Sequence, residues 1–258
     1  MIGVRLPSLT TALTNGAIRV LLAPSCVICQ LPLMRPLAGP ICACCWSAVR
    51  TLTPPLCVRC GDALASWRQA DPCCPRCRRR KPAFTLARSG GHYEGALREI
   101  VHAFKYGGRR ALAGPLCSLM RASGHDVLAG ADAVVPVPLH PWRAWTRGFN
   151  QADDLACALG PPVWRVLRRA RHGPPQASLP AARRHANVRG AFALGGAFER
   201  LGLWSGARRR VRGSVLVVVD DVMTTGATLD ACARTLLSAG AREVRVLTAA
   251  RAVATRPR

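Results

Sequence analysis

The hydrophobic pattern is clearest near the C-terminus of the chain. Residues 215–219 are five consecutive apolar residues, which is typical of a strand buried on both faces. Apolar residues then recur at helical spacing over residues 228–239, Gly240 follows, and residues 244–248 have the pattern of a second strand. The order strand, loop, helix, strand predicts a parallel sheet with helices on both faces, and therefore an α/β fold.

Three more elements are predicted upstream of this unit. Residues 94–104 carry apolar side chains at helical spacing before a glycine pair, which predicts a helix that ends there. Residues 133–137 predict a short buried strand, and the prolines in and after it place it at a strand end or a sheet edge. Residues 151–159 again have a helical period and are followed by a glycine and two prolines.

The N-terminus predicts a short amphipathic helix, with Leu9, Leu13, Ile18 and Leu21 on one face. We expect this face to pack on the rest of the protein rather than on a membrane surface. Residues 1–24 lack a compact apolar block followed by a small-residue cleavage site, so we predict no secretory signal. No uncharged apolar run reaches the roughly 18 residues that a membrane-spanning helix needs, so we predict no transmembrane segment.

Eight of the thirteen cysteines form four Cys-x-x-Cys pairs. The pairs are Cys26 and Cys29, Cys42 and Cys45, Cys57 and Cys60, and Cys74 and Cys77. Each pair can aim two thiolates at one ion, and four thiolates complete a tetrahedral structural zinc site, so we predict two zinc ions. Sequential pairing, with the first four and the last four cysteines in separate sites, is the simplest assignment. Crossed pairing also fits the spacing, and Cys44 or Cys73 could replace Cys45 or Cys74.

The other cysteines and the missing signal bear on the compartment. Cys117, Cys157 and Cys232 fall in helical segments and are predicted to be small core residues. Disulfides are the competing use of so many cysteines, but Cys-x-x-Cys spacing without a secretory signal favours reduced thiolates. We therefore expect a cytoplasmic protein.

Composition changes abruptly at residues 78–82, where a cysteine-rich stretch gives way to one rich in alanine, valine and leucine. We predict three units: an N-terminal amphipathic segment at residues 1–24, a zinc-binding domain at 25–81 and the α/β domain at 82–258.

The charge balance is strongly basic, with 37 lysines and arginines against 13 acidic residues and a formal net charge of +24. Such a surplus attracts polyphosphates and nucleic acids. Lys81 and Lys105 are the only lysines, and a preference for arginine is also what a GC-rich coding sequence gives. The deficit of acidic residues is therefore the better indication of an anionic partner. The alternative is that the charge serves only solubility.

The strongest chemical motif spans residues 216–228, where four apolar residues are followed by Asp220 and Asp221 and then by a Thr/Gly turn. All thirteen positions repeat the signature of type I phosphoribosyltransferases. Backbone amides and hydroxyls at a helix N-terminus bind an anionic 5-phosphate, and the two acids would accept hydrogen bonds from ribose hydroxyls. The alternative is that the acids only cap the helix. The predicted phosphate ligands are Thr224, Thr225, Gly226, Ala227 and Thr228.

Further segments resemble the ComF (competence protein F) family. They are residues 104–108, 135–140, Arg143, 147–151, Gln176, Arg184 and 187–192, together with a cysteine module similar to that family's double zinc ribbon. The resemblance covers nearly the whole chain and its order is intact. It implies a phosphoribosyltransferase-like domain that binds PRPP (phosphoribosyl pyrophosphate) or ribose 5-phosphate together with Mg²⁺.

The resemblance also implies residue roles. Pro138 lies in the loop that wraps pyrophosphate in such folds, with Arg143 as a binding partner and Arg147 as a catalytic residue beside the two acids. Guanidinium suits this task because it stays charged and binds phosphate oxygens bidentately. Arg184 and Asn187 sit where a lid is usual. Arginines in so basic a chain are also often merely solvated, and His140 could only pack or cap.

Two functions follow as hypotheses. The resemblance implies a protein that serves single-stranded DNA uptake in natural transformation, with a competence helicase as a partner. The zinc ribbons and surface arginines would then grip the strand and carry most of its affinity, and Trp46 and Trp67 would stack on bases or else pack around the cysteine pairs. The alternative is an active phosphoribosyltransferase of nucleotide metabolism that transfers its glycosyl group to an unknown nitrogen acceptor.

Overall fold

A computed structural model describes most of the chain. The described residues are 9–64, 71–139, 148–170, 190–195 and 206–252.

Four parallel strands form the main sheet, in the order β1, β6, β5, β2. A separate antiparallel ribbon joins β3 and β4. The strands are β1 (Ala87–His92), β2 (Ala133–Pro136), β3 (Leu167–Arg169), β4 (Phe192–Leu194), β5 (Val215–Met223) and β6 (Glu243–Arg251).

Helices precede and connect these strands. They are α1 (Leu9–Leu22), α2 (Ala43–Ser47), α3 (Pro75–Arg79), α4 (Gly95–Tyr106), α5 (Ala113–Ser123), α6 (His125–Leu128), α7 (Gln151–Cys157), α8 (Gly206–Val211) and α9 (Ala227–Ser238), with short 3-10 turns at Pro36–Ala38 and Arg110–Leu112.

Strand β5 is apolar throughout its first half because both faces of the sheet are covered. Leu216 and Val218 pack in the core that contains α9, whereas Val217 and Val219 pack in the core that contains α4, α5 and α7. Alternate side chains of one strand thus enter two separate cores, as strand geometry requires. The predicted α/β fold, a parallel sheet with helices on each side, is confirmed.

The predicted elements are present, although β5 is longer than the hydrophobic run suggested. It continues through Asp220 and Asp221 to Met223, because its backbone pairs with β6 as far as Arg251. The two acids therefore lie within the last residues of the strand rather than after it. Strand β2 lies at the edge of the sheet, as its prolines predicted.

The cysteine-rich segment runs along the other edge of the sheet, beside β1. The backbone N–H of Ala87 donates to the Arg59 carbonyl (2.6 Å), and that of His92 donates to the Arg50 carbonyl (2.8 Å). A Cβ at Gly91 would lie 2.5 Å from the Arg50 oxygen, so only glycine permits this approach. These contacts cover an edge strand that would otherwise expose unpaired backbone groups.

Two predictions about packing are wrong. Leu13 and Leu21 of α1 are 68% and 79% exposed, so these side chains do not pack on the rest of the protein. The contact that holds the helix is polar instead, because the buried Asn15 accepts a hydrogen bond from the Leu37 N–H (3.1 Å). Cys157 lies at the end of α7 and is exposed, whereas Cys117 and Cys232 are buried as predicted. Among the described residues, no helix is long and apolar enough to cross a membrane.

Candidate functional site

The eight paired cysteines form two separate groups of four. The first cluster is Cys26, Cys29, Cys42 and Cys45, and the second cluster is Cys57, Cys60, Cys74 and Cys77. The grouping follows the sequential assignment, and Cys44 and Cys73 belong to neither cluster.

Within each cluster the four sulfur atoms lie within 4.8 Å of one another. Four thiolates bound tetrahedrally to zinc at about 2.3 Å are separated by about 3.8 Å. The Sγ–Sγ distances of 3.7 Å between Cys29 and Cys42 and 3.6 Å between Cys60 and Cys74 match this spacing. Both clusters therefore fit a structural zinc ion that has no open coordination position.

Local hydrogen bonds make one thiol of each cluster acidic. The hydrogen bond from Cys60 lowers the pKa of the Cys57 thiol to about 6, and the same contact, together with burial, raises the pKa of Cys60 to about 12. Although burial opposes it, backbone N–H groups, that of Cys42 first, lower the pKa of Cys26 to about 6. Each cluster thus offers a thiolate at neutral pH, the form that binds metal.

The predicted phosphate loop (residues 224–228) joins the end of β5 to the N-terminus of α9. Gly226 has a φ of 78°, a left-handed conformation that favours glycine, and it is the N-cap of the helix. Its added Cβ would lie 2.7 Å from the Met223 Cε atom. The loop therefore brings the N-terminus of a twelve-residue helix to the carboxyl end of the sheet, where α/β folds bind anions.

The two acids of the motif lie in different surroundings. Asp221 is buried and forms an ion pair with Lys105, whose Nζ lies 3.0 Å from its Oδ1 atom. Asp220 is half-buried, and its own Oδ1 accepts a hydrogen bond from the Asp221 backbone N–H (2.9 Å). The more accessible carboxylate at the site is therefore that of Asp220.

Lys105 is a residue of this site that the motif alone does not reveal. It lies in the last turn of α4, and only 17% of its side chain is exposed. Burial lowers its pKa, but the charges of Asp221 and Asp220 outweigh burial and raise the pKa above the ordinary lysine value. Two signals in the sequence pointed to it: Lys105 is one of two lysines, and it lies in the family-like segment 104–108.

The segment after β2 borders the same site. The backbone N–H of Val137 donates to the Val219 carbonyl (3.0 Å), which holds the half-buried Pro138 near the carboxyl end of β5. Asn150 also donates to the Val137 carbonyl (3.2 Å). The predicted residues His140, Arg143, Arg147, Gln176, Arg184 and Asn187 lie outside the described residues.

A small cleft separates the phosphate loop from the second cluster. The cleft lining includes Arg76, Cys60, Cys77, Thr225 and Gly226. The cysteine module is thus a wall of the space next to the loop. Of the two tryptophans considered for base stacking, Trp46 is half-buried against the core, and Trp67 lies outside the described residues.

The chain is similar to known proteins over most of its length. The phosphoribosyl transferase domain model matches residues 147–258. Competence protein F of Haemophilus influenzae is 30% identical over 203 residues, which cover 75% of this chain and 83% of that protein. DNA utilization protein YhgH of Salmonella typhi is 33% identical over 235 residues, which cover 86% and 94%. A solved structure, the allosteric regulatory enzyme of purine biosynthesis, is 23% identical with a TM-score of 0.36 over 58% of this chain and 30% of that chain.

Proposed function

We infer the function of this protein from the premise that the chain belongs to the competence protein F family. We propose that it binds PRPP or ribose 5-phosphate, together with Mg²⁺, at the phosphate loop. We further propose that it serves the uptake or use of single-stranded DNA in the cytoplasm.

The conformation of the phosphate loop carries the first proposal. Residues 224–228 lie at a helix N-terminus, where backbone N–H groups and the helix dipole favour an anionic 5-phosphate. Asp220 and Asp221 lie among the last residues of the strand that leads into this loop, where they would face a ribose bound there. In this arrangement Asp220 would accept hydrogen bonds from ribose hydroxyls, and Lys105 would hold the Asp221 side chain in place.

Mg²⁺ would be held by oxygen ligands of the bound PRPP together with the carboxylate of Asp220, since it prefers oxygen ligands and keeps several waters. Its charge would offset that of the anionic pyrophosphate oxygens. We propose Arg143 and Arg147 as the cationic partners of the pyrophosphate, and Pro138 as part of the loop that wraps it.

Isothermal titration calorimetry with PRPP and Mg²⁺ tests this proposal. The Asp220→Asn, Asp221→Asn double variant should bind at least about tenfold more weakly than the unsubstituted protein, since ionic hydrogen bonds contribute about 1.5–3 kcal/mol. The matched control is Asp153→Asn with Asp154→Asn, because that acid pair in α7 bonds to Arg165 and Arg110 instead. Equal affinity of the site variant and the unsubstituted protein would show that PRPP binds elsewhere.

The basic surface supports the proposal of DNA binding. Residues 78–81, Arg-Arg-Arg-Lys, are exposed at the end of α3, next to the cleft beside the phosphate loop. Charge of this kind binds phosphates and releases counterions, so affinity falls log-linearly with salt at a slope of about −0.7 per contact on single strands.

Titration of a labelled single-stranded oligonucleotide at several salt concentrations tests it. Replacing residues 78–81 by glutamine should weaken binding and make the slope shallower by up to about 3. The control replaces the exposed Arg208, Arg209, Arg210 and Arg212, which removes the same charge from another surface. An affinity that does not change with salt concentration, or an equal loss of DNA affinity in both variants, would contradict a role of this basic segment. Truncation is unsuitable, because Phe84 and the second cluster share a core with the sheet.

A second candidate is catalytic glycosyl transfer, which the intact thirteen-residue motif favours. An active enzyme would release pyrophosphate from PRPP when the correct nitrogen acceptor is present, through an oxocarbenium-like state stabilised by charge. A screen of bases and amines scored by pyrophosphate release decides this point. Binding without release from any acceptor would leave PRPP as a bound effector of a DNA-handling protein.

A further inference from the structure

The second cluster is linked through intervening residues to both ends of the phosphate loop. One contact runs through β6, whose last residue pairs with the end of β5, and the other runs through the first turn of α9. The first cluster lies on the opposite face of the sheet, where Val27, Ile28 and Trp46 pack with the α4 and α5 core. The two cysteine clusters therefore differ in their relation to the loop.

Arg251 makes the contact through β6. Its side chain is buried, with 1% exposed, and its guanidinium donates to the Cys60 carbonyl (3.1 Å) and lies 3.8 Å from the Cys60 Sγ atom. The same guanidinium pairs with Asp62 (3.2 Å). Within the described residues its Nε atom has no hydrogen-bond partner, so the cation depends on these few acceptors.

The backbone of Arg251 is part of the strand end that leads into the loop. Arg251 lies opposite Met223 in the parallel register of β5 and β6, and the next N–H, of Ala252, donates to the Met223 carbonyl (3.0 Å). Met223 in turn lies against Gly226 of the loop. The end of β6 at Arg251 is therefore paired through the backbone with Met223, the residue that lies against the loop.

Asp230 makes the contact through α9. Its carboxylate accepts a hydrogen bond from the Ala83 backbone N–H (2.6 Å), in the segment that follows the cysteine-bearing helix α3. The backbone N–H of Asp230 donates to the Gly226 carbonyl (2.8 Å). The helix that follows the loop is thus tied to the segment that follows the second cluster.

We propose that the second cluster holds the phosphate loop in its binding conformation through Arg251 and Asp230, so that zinc at this cluster and PRPP bind cooperatively. The proposal rests on the proposed function, because it concerns regulation of the same ligand site. Arg251 is a positioning residue here, since it acts through Met223 and does not touch the ligand. The second cluster would then be part of the PRPP site rather than only a separate DNA-binding module.

Coupling between two ligands is reciprocal and usually amounts to a factor of about 5 to 150 in affinity. Arg251→Met should therefore weaken PRPP binding by about tenfold in zinc-loaded, folded protein. Arg245→Met is the matched control, because Arg245 is also a largely buried arginine of β6, but it bonds to Glu243 and to the Ala129 carbonyl at the other end of the strand. That variant should keep the PRPP affinity.

A second measurement needs no substitution near the loop. Zinc transfer to a zinc-selective chelator, measured in the presence of Mg²⁺, should have two phases, one for each cluster. The Cys29→Ser variant lacks one ligand of the first cluster and therefore identifies the phase that belongs to it. PRPP should slow zinc loss from the second cluster by about tenfold and leave the first cluster unchanged.

The outcomes separate this proposal from the proposed function. If the unsubstituted protein does not bind PRPP, the proposed function fails, and the coupling fails with it. If PRPP binds with equal affinity to the unsubstituted protein and to Arg251→Met, or protects both zinc ions equally, the coupling is wrong while PRPP binding stands. Weaker binding in Arg251→Met together with selective protection of the second cluster supports it.

Discussion

The Lys105–Asp221 ion pair gives the sharpest prediction about the site, because it links α4 to the strand that carries the motif. Two unit charges 3.0 Å apart attract by about 5.5 kcal/mol at an effective dielectric constant of about 20. Desolvation of the two charges, whose side chains are 17% and 12% exposed, offsets more than half of this attraction. We therefore expect a net coupling of about 2 kcal/mol between the two side chains.

Lys105→Met should lower the free energy of unfolding by about 2–3 kcal/mol, because it leaves a buried carboxylate without its cation. Asp221→Asn should lower the free energy of unfolding somewhat less, because the charge of Asp220 still acts on Lys105. The double variant should cost about 2 kcal/mol less than the sum of the two single variants. Urea unfolding of the zinc-loaded protein, followed by circular dichroism, measures all three values.

Lys81→Met is the control, because Lys81 is the other lysine of the chain and is exposed. The raised pKa of Lys105 means that its contribution is fully present below about pH 10.5 and is lost only as pH rises through the higher folded value. The loss in Lys105→Met should therefore be the same at neutral and at mildly alkaline pH. Additive single effects, or a loss no larger than that of Lys81→Met, would refute the assigned ion pair.

Three further predictions concern the metal, the loop and the free thiols. Elemental analysis of protein purified under reducing conditions should find close to two zinc ions per chain, whereas one would mean that only one cluster is a site. Gly226→Ala and Gly213→Ala should each lower the free energy of unfolding by about 1 kcal/mol, because the two glycines have left-handed φ values of 78° and 76°. Only the change at Gly226 should weaken PRPP binding in calorimetry. A thiol reagent followed by mass spectrometry should modify the exposed Cys44 and Cys157 of zinc-loaded protein before the buried Cys117 and Cys232, and early modification of Cys117 would contradict the assigned core.

The fold and the metal sites could be predicted from the sequence because their signals are local. An unbroken apolar run, a helical period and four Cys-x-x-Cys pairs each lie within a short segment, and they specify β5, α9 and the two clusters. Local patterns do not show whether an apolar face is covered, which is why the packing expected for Leu13 was wrong. They also do not show which distant residues meet, so the sequence did not reveal that Lys105 pairs with Asp221 or that Arg251 contacts Cys60.

Residues 224–228 are proposed to hold the phosphate of a phosphoribosyl ligand. A crystal structure of the zinc-loaded protein with PRPP and Mg²⁺ tests this proposal most directly. We expect 5-phosphate oxygens about 2.7–3.2 Å from backbone nitrogens of this loop, with the ribose hydroxyls facing Asp220. A 5-phosphate bound away from the loop amides, for example on the surface arginines of residues 78–80, would contradict it.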